Sequence, residues 1–204
     1  MNSPQPATTR FALFLRGINV GGVKVPMAQL REVLTQMGGS SVRSWLASGN
    51  VALDWPGDAP GLQRAAEAVL GERFGYRARV LVRRVDELAA IIAACPWAPD
   101  DGFHRYVVLF DDADDADDAD DAARALAGLA SPGGSAGDPG RDGPVVPAGA
   151  LLAGERVQLH GDLIYWRCPK GRTTDSAFGK QQNRGPAVRR PTVRNLQTLQ
   201  RMVG

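Results

Sequence analysis

The stretch 16–27, RGINVGGVKVPM, sets glycines at 17, 21 and 22 and an asparagine at 19 ahead of Lys24. Small residues let backbone amides approach a ligand closely, and a lysine beside them supplies a compact positive charge. Such a bend, at the exit of a strand and the mouth of a helix, favours an anion. It is not an NTPase P-loop, in which lysine follows the second glycine directly and Ser or Thr comes next. Gly17 and Gly22 have the right separation, but Lys24 is one place late and Val25 follows it. Pro26 also removes an amide donor. The glycine order of a dinucleotide-binding turn is missing too. What remains is a small-residue anion seat in which Arg16, Gly17, Asn19, Gly21, Gly22 and Lys24 are the candidate ligand contacts. The bland alternative is a tight turn with a surface lysine.

The elements around this stretch decide what can join it. Residues 11–19 read as a buried strand with Phe11, Leu13 and Leu15 on one side. Residues 26–39 read as a helix with Pro26 at its start, an apolar stripe of Met27, Leu30, Leu34 and Met37, and a glycine stop. Residues 41–55 read as two strands meeting at Ser48-Gly49-Asn50, 59–75 as a second helix and 76–85 as a further strand. This βαββαβ order predicts a ferredoxin-like lobe. Pairing of its central strands would bring Ser48 and Asn50 to face the glycine bend.

A second cycle follows. Residues 86–97 read as a helix capped by Asp86, 104–110 as a strand, and 154–169 as a hairpin turning at His160-Gly161-Asp162. The run 111–121 contains eight aspartates in Asp-Asp-Ala triplets and is expected to lead into a helix. Residues 131–149 are a Gly/Pro-rich surface loop. From Lys170 the chain is a basic tail, with Lys170, Arg172, Lys180, Arg184, Arg189, Arg190 and Arg194, ending in a short helix at 194–203. Apolar anchors are sparse from 170 to 191, so a mobile segment able to fold over a phosphate is expected. The fold class is therefore α+β, with two small α/β-sandwich lobes, 1–97 and 98–204, divided near Trp97–Asp101.

Composition bounds the function. A 44% hydrophobic and 23% charged chain is an ordinary soluble one. The net charge of +2 conceals a strongly basic body once the aspartate run is set aside, which points to an anionic partner. Lysines occur only at 24, 170 and 180 against an arginine-rich background, so each marks a position where a point charge is retained. Cys95 and Cys168 lie far apart and read as free thiols of a reducing cytoplasm. With His104 and His160 they show no metal-ligand spacing, so neither metal nor cofactor is expected. No apolar run reaches membrane length, and the polar start 1–10 has no signal-peptide core.

The segments LRGINVGG, KVPMAQLR and, at 48–51, SGNV resemble the bacterial domain-of-unknown-function family 1697 over nearly the whole chain. Counterparts of that family's lysine-bearing tail segment and its closing T-T-R-N-W-N-T motif are Phe178-Gly179-Lys180 and 192–198. The tail departs from the pattern at Val193, Leu196 and Gln197, and the loop 131–149 is extra. The resemblance implies a fold and a site, not a reaction. It adds weight to Arg16, Asn19, Lys24, Ser48 and Asn50, and brings Lys180, Arg194 and Asn195 in as tail contacts.

Three functions fit these residues. One is binding of a phosphate-bearing small molecule or nucleic acid, for which Arg77, Arg79 and Arg83 on an uncovered sheet face would offer further contacts. No aromatic stacking motif accompanies them. The second is an enzyme acting on a small anion, with Lys24 or Lys180 neutralising charge and Ser48 orienting or attacking. The third is an interaction module anchored by Trp45, Trp55, Trp97 or Trp166.

Overall fold

A computed structural model describes residues 7–19, 23–110, 151–182 and 191–204. The elements in chain order are β1 (Thr9–Arg16), α1 (Met27–Gln36), β2 (Ser40–Trp45), β3 (Asn50–Trp55), α2 (Ala59–Phe74), β4 (Arg79–Arg84), α3 (Val85–Ala93), β5 (Phe103–Leu109), β6 (Arg156–His160), β7 (Leu163–Pro169), α4 (Ala177–Gln181), β8 (Thr192–Asn195) and α5 (Leu196–Val203). The aspartate run, the helix expected after it, the loop 131–149, Gly21, Gly22, Arg184, Arg189 and Arg190 lie outside the described residues. The chain divides into two compact units, Met1–Ala93 with Gln200–Gly204, and Ala94–Leu199. Each carries one four-stranded antiparallel sheet, so the fold is α+β.

In the first unit the strand order is β2-β3-β1-β4. β3 lies between β1 and β2, so the crossover through α1 is split by a strand. Alternation along β1 puts Phe11, Leu13 and Leu15 on one face, where they meet Leu30 and Leu34 of α1 and Leu62, Ala66 and Leu70 of α2. α2 starts where the Asp58 carboxylate accepts from the Gly61 amide at 2.8 Å, and it stops at Gly75, whose φ of 65° suits a residue without a Cβ.

The opposite face corrects one expectation. It is not an open platform for arginines. Ala12, Phe14, Ala52 and Leu81 are as deeply buried there as the first face, and α3 lies along β1 and β4. Arg77 precedes β4, and Arg79 and Arg83 flank the buried Leu81. A strand with Val80, Leu81 and Val82 in sequence is apolar on both sides, and that run demanded cover on both. The cap of α3 also differs from expectation. Glu87 reaches back to accept from the Arg84 amide at 3.1 Å, while Asp86 sits inside the first turn and pairs with Arg84 at 2.7 Å.

In the second unit the order is β6-β7-β5-β8. Val108, Phe110, Val157, Ile164, Trp166, Cys168 and Phe178 form its core. The segment expected to be a mobile basic tail is partly built into this unit. Phe178 of α4 is fully buried edge-on to Trp166, and residues 192–195 add β8 to the sheet beside β5. Phe178 and Leu196 are fully buried and anchor α4 and the start of α5.

Candidate functional site

The β1–α1 bend and the β2–β3 turn meet at one end of the first sheet. The Leu15 amide donates to the Gly49 carbonyl at 2.8 Å, which extends the ladder past the last paired strand residue. Gly49 has φ 72°, and a Cβ there would lie 2.7 Å from Leu15 Cβ and 2.8 Å from Ile18 Cδ1. Only glycine allows that approach. Asn19 completes the junction. Its backbone is left-handed, with φ 55°, which asparagine tolerates better than other side chains. Its Nδ2 donates to the Ala47 carbonyl at 2.6 Å, its Oδ1 accepts from the Val25 amide at 3.1 Å, and its own amide donates to the Val23 carbonyl at 2.8 Å. Asn19 thus spends both ends of its carboxamide on the protein and pins bend to turn.

Lys24 stands beside this pin. It is exposed and makes no hydrogen bond or ion pair among the described residues. α1 begins three residues later, after Pro26 at its N-cap, with no capping side chain and no acidic residue in the first turn. Ser48 is exposed, and its Oγ accepts from Asn50 Nδ2 at 2.7 Å. Asn50 is fully buried, and the same Nδ2 also donates to the Trp45 carbonyl at 3.3 Å. Its Oδ1 is buried and accepts nothing among the described residues. Arg16 closes β1, half-buried and directly opposite Arg79 of β4. The structure therefore assembles Arg16, Gly17, Asn19, Lys24, Ser48 and Asn50 in one unit, around one sheet end.

Lys180, Arg194 and Asn195 belong to the second unit. Lys180 is exposed in the last turn of α4. Asn195 caps α5, accepting from the Gln197 amide at 2.8 Å, and it hydrogen-bonds the Tyr106 hydroxyl. Burial foremost, and then the nearby Cys168, pushes the Tyr106 hydroxyl up from its ordinary value.

A second polar centre lies in the second unit. Glu155 is buried and accepts three times. Trp166 Nε1 donates to it at 2.7 Å, the Leu152 amide at 2.8 Å, and the Ser176 hydroxyl closes the set. Ser176 Oγ in turn accepts from the Gly179 amide at 3.0 Å and so caps α4. Burial, with the Glu155 charge second, pushes the Cys168 thiol up to about 12, so this cysteine is an inert core residue. A buried glutamate reads in sequence like any surface glutamate. The hairpin signal at 154–169 was the only trace.

Among the described residues no three His, Cys, Asp or Glu side chains could hold a metal ion, and no helix is long and apolar enough to cross a membrane. Among the described residues no histidine, aspartate or glutamate hydrogen-bonds Ser48.

A two-sheet α+β protein with a glycine bend at one sheet end is the class that these observations define. The chain belongs to the DUF1697 family, described as a protein of unknown function, whose model matches residues 8–129. It is similar over 97% of its length to the conserved bacterial protein SP0830 from Streptococcus pneumoniae, with 98% of that chain covered, 23% identity and a TM-score of 0.68. That likeness establishes the fold. No curated protein matches the sequence.

Proposed function

We propose that the bend-and-turn end of the first sheet binds a phosphate-bearing ligand, a nucleotide or nucleic acid. The observation that carries this reading is the start of α1. Every other helix of the described residues has a side chain that accepts from its N-terminal amides or its cap: Asp58 for α2, Glu87 for α3, Ser176 for α4 and Asn195 for α5. α1 has none, yet Lys24 is held next to it in solvent. Helix N-terminal amides without partners, the positive end of the helix dipole and a lysine together favour a dianion. The Val25 and Asn19 amides take no part, because Asn19 Oδ1 and the Val23 carbonyl already hold them.

The enzyme alternative has less behind it, since Ser48 meets no base among the described residues. A ferredoxin-like description of the first unit is supported by its strand order β2-β3-β1-β4. Two free thiols fit a reducing bacterial cytoplasm.

Isothermal titration with inorganic phosphate, a nucleoside monophosphate and a short oligonucleotide tests the reading. Saturable binding is expected, weakened about tenfold by Lys24→Ala, with an unchanged melting temperature because the exposed Lys24 makes no hydrogen bond or ion pair among the described residues. Oligonucleotide affinity should fall steeply as salt rises. No binding by any of the three probes would remove the proposal.

A further inference from the structure

We propose that a row of three arginines in the second unit, Arg105, Arg167 and Arg156, receives the phosphate backbone of a single-stranded nucleic acid. The register of the sheet sets them side by side: Arg167 of β7 lies directly opposite Arg105 of β5 on one flank and Arg156 of β6 on the other. Paired residues on neighbouring strands point to the same face, and the strands stand about 4.8 Å apart. Trp166 and Cys168, on either side of Arg167 in β7, belong to the core, so the arginines occupy the opposite face. Phe103 shares that face, and the Arg167 guanidinium stands 3.8 Å from the centre of its ring. All three arginines belong to the second unit, so this surface is independent of the α1 site.

Like charges directly opposite each other on neighbouring strands destabilise a sheet, so such a row calls for counter-charge. The described residues supply only part of it. Arg105 Nη1 donates to the Trp97 carbonyl at 2.8 Å, and Arg167 Nη2 pairs with the Asp100 carboxylate at 2.8 Å. Trp97 and Asp100 lie in the loop before β5, so these two guanidinium heads converge on one stretch of chain. Arg156 is exposed and makes no hydrogen bond or ion pair among the described residues. Three guanidinium groups against one carboxylate leave a surplus of two positive charges. A planar carboxylate matches one guanidinium fork, whereas the tetrahedral oxygens of a phosphate can accept from two neighbouring forks at once. The two intervals between three arginines therefore fit two successive phosphates of a chain better than a lone anion. The bases are left unread. Phe103 spends a ring face on Arg167, and Tyr165, the next aromatic on this face of β7, is fully buried, so neither offers a stacking platform.

Fluorescence anisotropy of labelled hexathymidylate and hexaadenylate with the whole chain, read together with amide NMR shifts, tests this. The Arg105, Arg156 and Arg167 amides are expected to shift with either oligonucleotide, at affinities within about twofold of each other because no base is stacked. Arg156→Glu, at a position with no internal partner to lose, should weaken binding about tenfold at an unchanged melting temperature and lower the salt slope by about 0.7 or more. Lys24→Ala should leave the three amide shifts in place. Oligonucleotide binding that leaves those amides unmoved, or that survives Arg156→Glu at full strength, would overturn the inference and leave the α1 reading standing. Absence of oligonucleotide binding would overturn it too, while inorganic phosphate decides the α1 reading separately. A peptide of Asp-Asp-Ala triplets, the repeat of 111–121, is the competing occupant. If it saturates the three amides at lower concentration than hexathymidylate, the row is an acidic-peptide surface and the nucleic-acid assignment falls.

Discussion

Asn50 and Glu155 are each 1% exposed, yet they do different work. Glu155 is met by an indole, a hydroxyl and an amide, and it ties the approach to β6, strand β7 and helix α4 into one body. Asn50 is met on one side only, where its Nδ2 shapes the β2–β3 turn, and its oxygen is left over. The difference teaches that burial of a polar group does not by itself mark a site. Completion does: a closed set of hydrogen bonds is scaffold, and an open one retains capacity for something from outside.

The comparison breaks most directly at Gly179, which lies next to the closed set. A Cβ there would stand 2.1 Å from the Thr173 carbonyl oxygen and 3.1 Å from Trp166 Cζ2's neighbour Cη2, so neither the backbone nor the indole can yield cheaply. Gly179→Ala should destabilise the protein by at least about 3 kcal/mol in urea unfolding. A loss under about 0.5 kcal/mol would mean that the turn over Trp166 is looser than described.

A smaller effect is expected at the pin between bend and turn. Asn19→Ala removes the bonds to Ala47 and Val25 and puts an ordinary side chain at φ 55°, for a cost of about 1–2 kcal/mol. Amide exchange should quicken at Val25 and leave the strands of the second unit unchanged. Uniform acceleration through both units would show that Asn19 does more than join two loops.

The smallest effect lies in alkali. Burial first, with the Glu67 charge behind it, raises the Tyr76 hydroxyl to about 12, and burial with Cys95 does the same at Tyr165. Folded values above the unfolded ones stabilise the protein fully below the unfolded values, and that stability is lost as pH rises through the folded ones. For these tyrosines and for Cys168 the window therefore opens near pH 9–10 and closes near 12. Tyrosinate absorbance should rise late in the native protein and near pH 10 in urea. Coincident titrations in both states would contradict the burial.

Much of the first unit was legible because its apolar residues follow the strand and helix periods closely, as in Phe11-Leu13-Leu15 and Leu30-Leu34. The meeting of the glycine bend with Ser48–Asn50 was legible for the same reason, since strand order brings them together. The second unit was harder. β8 has four residues and α4 five, and each is held by tertiary partners rather than by a pattern of its own. Arg79 was misplaced on an open face because three apolar residues in a row leave the side of a strand undefined. Asn195 was read for a ligand; its cap of α5 is a local bond with Gln197, whereas its bond to Tyr106 joins residues far apart in sequence.

Strand β4 ends the first sheet, and an edge of this kind normally offers free amides to any passing chain. Here one is already taken: Glu67 of α2 leans over and accepts from the Val80 amide at 2.9 Å. A helix side chain thereby imitates the neighbouring strand that is not there. The charged Arg79–Glu67 flank makes the same rim unattractive to an apolar newcomer. The molecule thus guards its own border against fibre-like growth, with a single carboxylate standing sentry where a second copy would otherwise begin to stack.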